Sequence, residues 1–498
     1  MDGSRQTLVQ YPHIYIDGEW VAPEDGGVIE SVDPATGRPW AAVAYGGRRD
    51  IDRAVAAARA ALEGPWGRMS GHERAALLYR LADIYQARAP ELALLESQDS
   101  GRALREARPD IGAHHNWYRW FASLADKIWG RTIPIDDSVH AYTTRLPVGV
   151  VGAITPWNAP MLTTAWKLGP ALATGCTVVL KPAELTPVTA LELARMIEAA
   201  GFPPGVVNVV PGYGKDGAGE HLVAHPGVDK IAFTGEGNTA RSILKTGADT
   251  LKRFSFELGG KAPHIIFADA DFDQALNAAT GSAWAVCGQS CALGSRVLVE
   301  RQIYDRAVEA FATRAKKVRV GMPLDEATHM GPQSSDEQLQ KTLSYVALGR
   351  AEGAALITGG NRMTSAEFAD GFFVEPTVFA GVSNSMRIAR EEIFGPVASL
   401  IPFDGEEEAV SIANDTNYGL TAGLWSRDVG RAHRVASKIR AGIVWVNTYR
   451  FIRWTTPYGG FKASGWGREN GIEALDSYLE TRTTVVSTTG QFPDAYAN

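Results

Sequence analysis

The sequence contains little cysteine and no strong excess of charge of either sign. Its 498 residues include 3 cysteines, too few for a disulfide framework, so we expect a reducing compartment and a cytoplasmic location. Lys and Arg number 49 against 56 Asp and Glu, a net charge of −7. This mild acidity gives no electrostatic reason to bind nucleic acid or an anionic membrane, and we expect neither as a partner.

Uninterrupted apolar segments are also missing. The longest run without a charged residue, 146–166, is long enough to span a bilayer, but three prolines and Asn158 would break a helix there. We therefore predict a buried strand followed by a turn. The N-terminus shows no basic segment followed by an apolar core, so no secretory signal is expected. The densest basic stretch, 314–319, fits a solvated helix C-terminus.

The composition is that of an ordinary soluble globular protein. Hydrophobic residues make up 45% of the chain and charged residues 21%, which excludes a disordered chain. At about 150 residues per domain, the length predicts two to four domains.

The periodicity of apolar residues predicts an α/β fold. Apolar residues three and four apart predict helices over 51–62, 73–95 and 110–128. Short β-branched segments then alternate with helices, which is typical of a parallel sheet with helical crossovers. The predicted strands are 148–155, 177–180, 206–210, 230–233, a segment around 254, 264–267, 296–299, 355–358, 374–379, 398–402 and 442–446. The helices predicted between them are 160–172, 187–199, 271–286 and 303–318.

The C-terminal segment alternates polar and apolar residues. This pattern over 478–487 predicts a strand. A terminal strand of this kind often pairs with another chain, so the pattern indicates a homo-oligomer.

A glycine pattern typical of dinucleotide sites follows one predicted strand. Gly212, Gly214 and Gly217 have the G-x-G-x-x-G spacing, and a second strand ends near Glu236, where a ribose-binding acid would lie. A chain with 52 glycines can meet this pattern by chance. The pattern therefore supports a dinucleotide site without fixing its geometry.

Four separated segments carry side chains that combine into one chemistry. They are 155–158 (TPWN), 181–184 (KPAE), 256–261 (FELGGK) and 288–291 (GQSC). Taken singly, each has a structural interpretation, such as a turn asparagine or a small buried cysteine. Together, a thiol nucleophile, a carboxylate base, an oxyanion-stabilising amide and a dinucleotide site suffice to oxidise an aldehyde through a thioester.

These segments resemble those of the NAD(P)-dependent aldehyde dehydrogenase superfamily. The resemblance continues through 391–396 (EEIFGP), 417–420 (NYGL) and 457–465 (PYGGFKASG), and Glu257 and Cys291 are 34 residues apart, since 291 − 257 = 34. It implies an α/β fold in three parts: a Rossmann-like NAD-binding domain (1–128 and 148–259), a catalytic domain (260–473) and a small β oligomerisation domain (129–147 and 474–498). A homodimer or homotetramer is expected.

The resemblance also implies roles for individual residues. Cys291 is the expected nucleophile, Asn158 the oxyanion-stabilising amide and Glu257 the base that activates water. The expected cofactor-binding positions are Ile154, Thr155, Pro156, Trp157, Lys181, Glu184, Gly214, Phe233, Gly235, Glu236, Leu258, Glu392 and Phe394. The expected substrate-binding positions are Trp166, Ser290, Ala292, Arg450, Ile452 and Tyr458. No metal is expected, and packing is the expected role of Cys176 and Cys287.

Several positions bear on cofactor and substrate choice. Glu236 stands where the family usually has serine, and its carboxylate should repel a pyrophosphate unless it turns away. Glu184 near the adenine-side ribose would repel a 2′-phosphate, so we expect NAD to be preferred over NADP.

The substrate is left open by the sequence. Ala159 replaces a bulky aromatic of many relatives, which predicts a wider channel. Arg450 or Arg453 could pair with a substrate carboxylate, although structural pairing of both arginines is the stronger expectation. An aromatic cage for a quaternary ammonium, formed by Trp454 and Tyr458, is a further alternative.

The expected function is therefore NAD-dependent oxidation of an aldehyde to a carboxylic acid. Three alternatives stay open. A CoA-acylating semialdehyde dehydrogenase would not need Glu257, and a non-catalytic NAD-binding relative would be expected to lack Cys291 or Glu257. Esterase activity through Cys291 is chemically feasible as a side reaction.

Overall fold

The computed structural model describes residues 8–492 and 494–496. The predicted NAD-binding domain includes residues 1–7, and the predicted oligomerisation domain includes residues 493, 497 and 498. Those parts of the two predictions lie outside the described residues.

The described residues form strands and helices that alternate over most of the chain. The strands are β1 (Val9–Tyr11), β2 (Ile14–Ile16), β3 (Glu19–Val21), β4 (Gly27–Asp33), β5 (Arg38–Tyr45), β6 (Thr132–Ile133), β7 (Val139–Pro147), β8 (Val150–Ile154), β9 (Thr177–Lys181), β10 (Val207–Val209), β11 (Lys230–Thr234), β12 (Arg253–Glu257), β13 (Pro263–Ile266), β14 (Arg296–Glu300), β15 (Ala355–Thr358), β16 (Thr377–Ala380), β17 (Val397–Phe403), β18 (Thr421–Trp425), β19 (Ile443–Val446), β20 (Gly465–Trp466) and β21 (Leu479–Ser487). The α-helices are α1 (Arg48–Glu63), α2 (Pro65–Arg68), α3 (Gly71–Ser100), α4 (Leu104–Leu124), α5 (Pro160–Thr174), α6 (Val188–Ala200), α7 (Ala218–Ala224), α8 (Gly237–Gly247), α9 (Phe272–Trp284), α10 (Tyr304–Ala315), α11 (Asp336–Ala351), α12 (Arg387–Arg390), α13 (Gly405–Asn414) and α14 (Val429–Lys438).

An eight-stranded sheet forms the core of the first half of the chain. Its strand order is β20-β12-β11-β8-β9-β10-β2-β3, and the strands from β12 to β10 are parallel. Alternate residues of β8 enter different apolar clusters: Val151 packs with α3, α5 and α6, and Val150 packs with α1 and α7. Because both faces are covered, every residue of β8, β9, β10 and β11 is buried, rather than every second one.

A seven-stranded sheet begins directly after Gly260. Its strand order is β15-β16-β17-β14-β13-β18-β19, parallel except for the edge strand β15. Adjacent residues again face opposite ways, with Ile265 in one apolar cluster and Ile266 in another. Two covered, mostly parallel sheets confirm the predicted α/β fold class.

Two smaller sheets lie outside these cores. The C-terminal strand β21 pairs antiparallel with β7 along its whole length, in a sheet ordered β21-β7-β6. This pairing joins the two segments, 129–147 and 474–498, that the family resemblance assigned to the small β oligomerisation domain. Val485 and Val486 of β21 are 56% and 47% exposed, so the strand presents apolar side chains at the surface. The other sheet has the order β1-β5-β4.

Some elements were missed or misplaced by the sequence patterns. The apolar patterns predicted no strand before residue 148, yet β1–β7 lie there, of which β6 and β7 fall in the 129–147 segment that the family resemblance assigned to a small β domain. Strands β1, β2 and β3 have only three residues each, too short for a periodic signal. Helix α11 and strand β18 were also missed. The helix predicted over 271–286 ends at Trp284, because Val286 and Cys287 adopt left-handed backbone conformations. Of the helices in the described residues, none combines the length and the apolar composition needed to cross a bilayer.

Candidate active site

The carboxyl ends of adjacent parallel strands bring several predicted site residues together. In register, Glu257 at the end of β12 lies beside Thr234 of β11. Phe233 of β11 lies beside Ile154 of β8, which in turn lies beside Lys181 of β9. Ligands of open α/β sheets bind at this edge, so the strand register places the predicted base and part of the predicted cofactor site on one rim.

A cavity of about 450 Å³ opens at this rim. The predicted residues that line it are Pro156, Trp157, Asn158, Trp166, Gly235, Glu236, Glu257, Leu258, Ser290, Cys291, Ala292, Glu392, Phe394, Arg450, Ile452 and Tyr458. All three predicted catalytic side chains and all six predicted substrate positions are in this set. The predicted cofactor positions outside the lining are Ile154, Thr155, Lys181, Glu184, Gly214 and Phe233.

The segment before Cys291 has an unusual backbone. Val286, Cys287 and Gly288 have φ values of 50°, 57° and 75°, a left-handed run that costs free energy, most of all for the β-branched valine. Glu106 and Gln333 hold this run: the Val286 N–H donates to Oε2 of Glu106 at 2.8 Å, and Nε2 of Gln333 donates to the Cys287 carbonyl at 2.7 Å. The turn directs the following residues, including Cys291, into the cavity.

The thiol of Cys291 lies in a largely apolar environment. Burial raises its pKa to about 11, although a hydrogen bond with Tyr458 opposes the shift. The Cys291 Sγ and the Tyr458 hydroxyl oxygen are 3.4 Å apart, and the Tyr458 ring packs on Trp166 at 4.8 Å between centroids. The thiol is therefore neutral at rest near pH 7. The other two cysteines, Cys176 and Cys287, are buried, as the packing interpretation predicted.

Asn158 lies next to the cysteine loop. Its Nδ2 donates to the backbone carbonyl of Gln289 at 2.8 Å, two residues before Cys291. This hydrogen bond fixes the amide at the mouth of the loop. A carbonyl oxygen in the cavity could replace the Gln289 carbonyl as the acceptor.

Glu257 is buried and incompletely hydrogen-bonded. Its Oε2 has no hydrogen-bond partner among the described residues. Burial raises the pKa of Glu257 well above its usual range; the nearby Glu469 raises it further, while Lys167 lowers it. Lys167 Nζ donates to Glu469 Oε1 at 2.9 Å and to the Thr234 hydroxyl at 2.7 Å. A buried ion pair, not found from the sequence, therefore stands beside the predicted base.

Glu392 and Phe394 form a second side of the cavity. Glu392 Oε1 accepts a hydrogen bond from the Gly260 N–H at 2.8 Å, and burial raises the Glu392 pKa to about 7. A Cβ at Gly259 would collide with Oε2 of the same carboxylate, so this contact requires glycine. The Phe394 ring meets the Trp157 ring edge-on at 5.3 Å.

The polar positions further along the rim form a separate group. Lys181 Nζ donates to Glu184 Oε2 at 2.9 Å. Helix α8 begins at Gly237 without a side-chain cap, so its first N–H groups are available to an anion. The Glu236 carboxylate accepts from Asn238 Nδ2 at 3.3 Å and lines the cavity.

The arginines considered for substrate binding have structural contacts. Arg450 donates to Glu106 at 3.2 Å, and Arg453 donates to the Ile452 carbonyl while lying over the Phe451 ring. These contacts agree with the structural interpretation of both residues. Trp454 packs against Trp117 at 5.5 Å rather than forming a cage with Tyr458.

The other cavity residues were not predicted as site residues, although the sequence analysis singled out Ala159 and Gly259 lies in the 256–261 segment. The lining also includes Arg102, Asp110, Ala159, Leu162, Thr163, Leu185, Thr234, Gly259, Val286, Ser335, Glu337, Gln338 and Lys341. Arg102 is buried and pairs with Asp110 at 2.7 Å. A lone arginine between two predicted helices looks like any surface residue, so only the packing of α3 against α4 could place Arg102 here.

The two sheets are each covered by helices on both faces, and the cavity holds a thiol, a buried carboxylate and an amide. This combination defines a dehydrogenase-like α/β protein with a cysteine in its site. Comparison with known proteins makes this specific. The aldehyde dehydrogenase family model matches residues 20–484, and the chain belongs to this family. An aldehyde dehydrogenase from Enchytraeus buchholzi is 44% identical over 488 residues, covering 97% of each chain.

Solved structures agree with this assignment. The NAD⁺ complex of aldehyde dehydrogenase from Bacillus cereus has a TM-score of 0.94 and 44% identity, covering 96% of this chain and 97% of that one. Betaine aldehyde dehydrogenase from Staphylococcus aureus in complex with NAD⁺ has a TM-score of 0.96 and 39% identity, covering 98% and 97%.

Proposed function

We propose that the protein oxidises an aldehyde to its carboxylic acid with NAD, through a thioester on Cys291. The observation that carries this proposal is the presence of Cys291, Asn158 and Glu257 in the lining of one cavity, which Glu392 and Phe394 also line. The family membership and the NAD⁺ complexes of two relatives support it.

The first step is attack by Cys291 as a thiolate. Because burial holds the thiol neutral at rest, its proton must leave before the sulfur adds to the carbonyl carbon. We assign this proton to water in the open cavity rather than to Glu257, whose ionised form is needed for the hydrolysis step. The new C–S bond moves the carbonyl electron pair onto oxygen. Nδ2 of Asn158, together with the backbone N–H of Cys291, would hold that oxyanion.

The second step converts the tetrahedral adduct into a thioester. As the oxyanion electrons re-form the C=O bond, the C–H bond breaks and its electron pair leaves with the hydrogen as hydride. The nicotinamide of bound NAD supplies the hydride acceptor. The rings of Trp157 and Phe394 would border that part of the cavity and exclude water from it.

The third step is hydrolysis of the thioester. Glu257 in its ionised form takes a proton from water, the hydroxide adds to the acyl carbon, and the C–S bond breaks to return the Cys291 thiolate. The buried site suits this role because the carboxylate Oε2 has no competing partner among the described residues. Hydrolysis needs a base to activate water, whereas acyl transfer to CoA does not. The presence of Glu257 therefore favours hydrolysis over the CoA-acylating alternative.

Three features of the rim fit a dinucleotide. Helix α8 offers uncapped N–H groups to a pyrophosphate, Gly259 permits the close approach of Glu392, and Lys181 with Glu184 stands at the end of β9. We propose that Glu392 and Phe394 hold the nicotinamide riboside, that Lys181 and Glu184 bind the adenine-side ribose, and that Ile154, Thr155, Gly214 and Phe233 border the cofactor. Glu184 would repel a 2′-phosphate, so NAD is the preferred cofactor.

We extend the proposal to domains and assembly. The sheet of β8–β12 would form the NAD-binding domain (1–128 and 148–259) and the sheet of β13–β19 the catalytic domain (260–473). The β6, β7 and β21 unit would join subunits into a homodimer or homotetramer, since β21 leaves apolar side chains exposed. We place the protein in the cytoplasm, where three unpaired cysteines remain reduced.

The test is pre-steady-state NADH formation at 340 nm by the wild type and by Glu257→Gln, with and without CoA. Wild-type turnover with NAD alone, and a burst without steady turnover in Glu257→Gln, is the expected result. Turnover that requires CoA would favour the CoA-acylating alternative. NAD binding without turnover of short aliphatic, long aliphatic, aromatic, carboxylate-bearing or trimethylammonio aldehydes would favour a non-catalytic relative.

A further inference from the structure

A second pocket, open to the surface, adjoins the catalytic cavity at Arg450. It has a volume of about 570 Å³ and is lined by residues of α4, α9 and the end of α10, together with His329, Met330 and Arg450. We call it the basic pocket, because among the described residues its charged lining consists of Arg105, Arg314, Lys317 and Arg450 against the single carboxylate of Glu106. A pocket of this sign is unexpected in a chain whose net charge is −7.

The wall between the basic pocket and the catalytic cavity is thin. Arg450 lines both, and the consecutive residues Ala285 and Val286 line the basic pocket and the catalytic cavity respectively. Glu106, which receives hydrogen bonds from Arg450 and from the Val286 N–H, closes the wall from the side of the basic pocket. The Arg450 side chain is 28% exposed and lies between the two spaces, so a substrate tail that reaches the basic pocket from the catalytic cavity must pass beside it.

The cations of the basic pocket are poorly neutralised. Arg314 reaches Asp273 only at 3.9 Å, and its buried Nη1 has no hydrogen-bond partner among the described residues. Among the described residues, Arg450 forms an ion pair with Glu106, and the structure shows no ion pair for Arg105 or Lys317. An anion in the basic pocket would meet the weakly paired guanidinium of Arg314 beside two cations with no ion pair among the described residues, which favours a carboxylate or phosphate oxygen.

We infer that the basic pocket binds the anionic tail of the substrate, so that the preferred aldehydes carry a carboxylate or phosphate at the end remote from the carbonyl. The inference rests on the proposed function and assigns Arg105, Arg314 and Lys317 as specificity residues. Arg450, paired with Glu106, lies beside the path of the tail and is not part of the anion site. The exposed basic segment at the end of α10 thereby acquires a role beyond solvation.

The test compares an acid with its uncharged analogue. The probes are ω-oxo carboxylates of four to ten carbons and their methyl esters, assayed with NAD in Arg105→Gln, Arg314→Gln and Lys317→Gln. The measured quantity is the ratio of kcat/KM for acid over ester at each length. Lys316→Gln and Arg319→Gln are matched controls, because these residues lie in the same segment but outside the lining of the basic pocket.

We expect a wild-type ratio above one for the longer chains, and a decrease of about two- to fivefold per removed cation, the range of a partly exposed ion pair. The ratio should also decrease with added salt, and the controls should keep the wild-type ratio. Inorganic phosphate added to the assay tests whether the basic pocket also accepts a phosphate group. It should then compete with the acids and not with the esters.

Turnover of acids and esters with a ratio that none of the three substitutions changes would overturn this inference and leave the proposed function standing. Turnover of neither class, with NAD bound, would overturn the proposed function and the inference with it. Because Arg105 and Lys317 are exposed, their variants are expected to fold even if Arg314→Gln does not.

Discussion

The buried ion pair of Lys167 and Glu469 should set the pKa of Glu257 from both sides. Lys167 is fully buried and Glu469 is 3% exposed, and Nζ and Oε1 are 2.9 Å apart. Lys167 lowers the Glu257 pKa and Glu469 raises it. Removing one partner of the pair therefore moves this pKa in a direction that depends on which partner is removed.

Two substitutions give opposite predictions. Lys167→Met removes the cation, so the pKa of Glu257 rises, and the pH below which the ionised base is lost moves upward. Glu469→Gln removes the carboxylate, so the pKa falls and that pH moves downward. A charge within several ångströms of a buried carboxyl changes its pKa by about 1 to 2, which corresponds to about 1.4 to 2.7 kcal/mol.

Stability alone cannot explain such opposite changes. Either substitution leaves one buried charge without its partner, which costs about 3–5 kcal/mol of folding free energy in both cases. Lys245→Met, at an exposed lysine of α8, is the matched control for loss of a positive charge. Thermal unfolding checks that each variant is folded at the assay temperature.

The assay is the rate of NADH formation after the burst, measured from pH 5 to 9 at constant ionic strength. This rate reports thioester hydrolysis where hydrolysis limits turnover. At a fixed pH well below the Glu257 pKa, the fraction of ionised base, and with it the rate, changes about tenfold when that pKa moves by about 1. The low-pH part of the pH–rate profile reports the loss of ionised Glu257. If it shifts in the same direction in both variants, or coincides with that of the wild type, the electrostatic reasoning is refuted.

Three further outcomes follow from single contacts. Gly259→Ala pushes a methyl group into the Glu392 carboxylate. We expect the KM for NAD to rise about tenfold, as for loss of a charged hydrogen bond. An unchanged KM would show that Glu392 does not hold the cofactor. Glu184→Gln removes a repulsive charge, so kcat/KM with NADP relative to NAD should rise about fivefold, and an unaltered ratio would count against the ribose contact. Alkylation of Cys291 by iodoacetamide should accelerate as the pH rises to about 11, the pKa of its thiol. It should be slower in Tyr458→Phe, which loses a hydrogen bond that lowers this pKa. Equal alkylation rates in the variant and the wild type would contradict the role of Tyr458.

Local patterns account for the fold class and for much of the chemistry. The alternation of strands with amphipathic helices after residue 148 predicts a parallel sheet with helical crossovers, because that periodicity depends only on neighbouring residues. The predicted helix over 160–172 corresponds to α5, which spans Pro160–Thr174. Strands β1–β3, of three residues each, were not predicted, whereas the equally short β10 was, because Val206 and Val210 extend its apolar run.

The candidate site divides in the same way. The segments around Asn158, Glu257 and Cys291 are recognisable in the sequence because each is a contiguous string of unusual residues. The structure shows that these three side chains line one cavity, a relation that motifs alone imply only through family resemblance.

The sequence by itself determined the fold class, the family and the reactive groups, since these depend on residue identity and local period. Tertiary structure decided what surrounds them. Lys167 meets Glu469 across 302 residues, and Arg450 meets Glu106 across 344. Such pairs carry no local signal, because each partner alone is an ordinary charged residue. Their distances, and hence the pKa values and the charge of the basic pocket, exist only after the sheets and helices have packed.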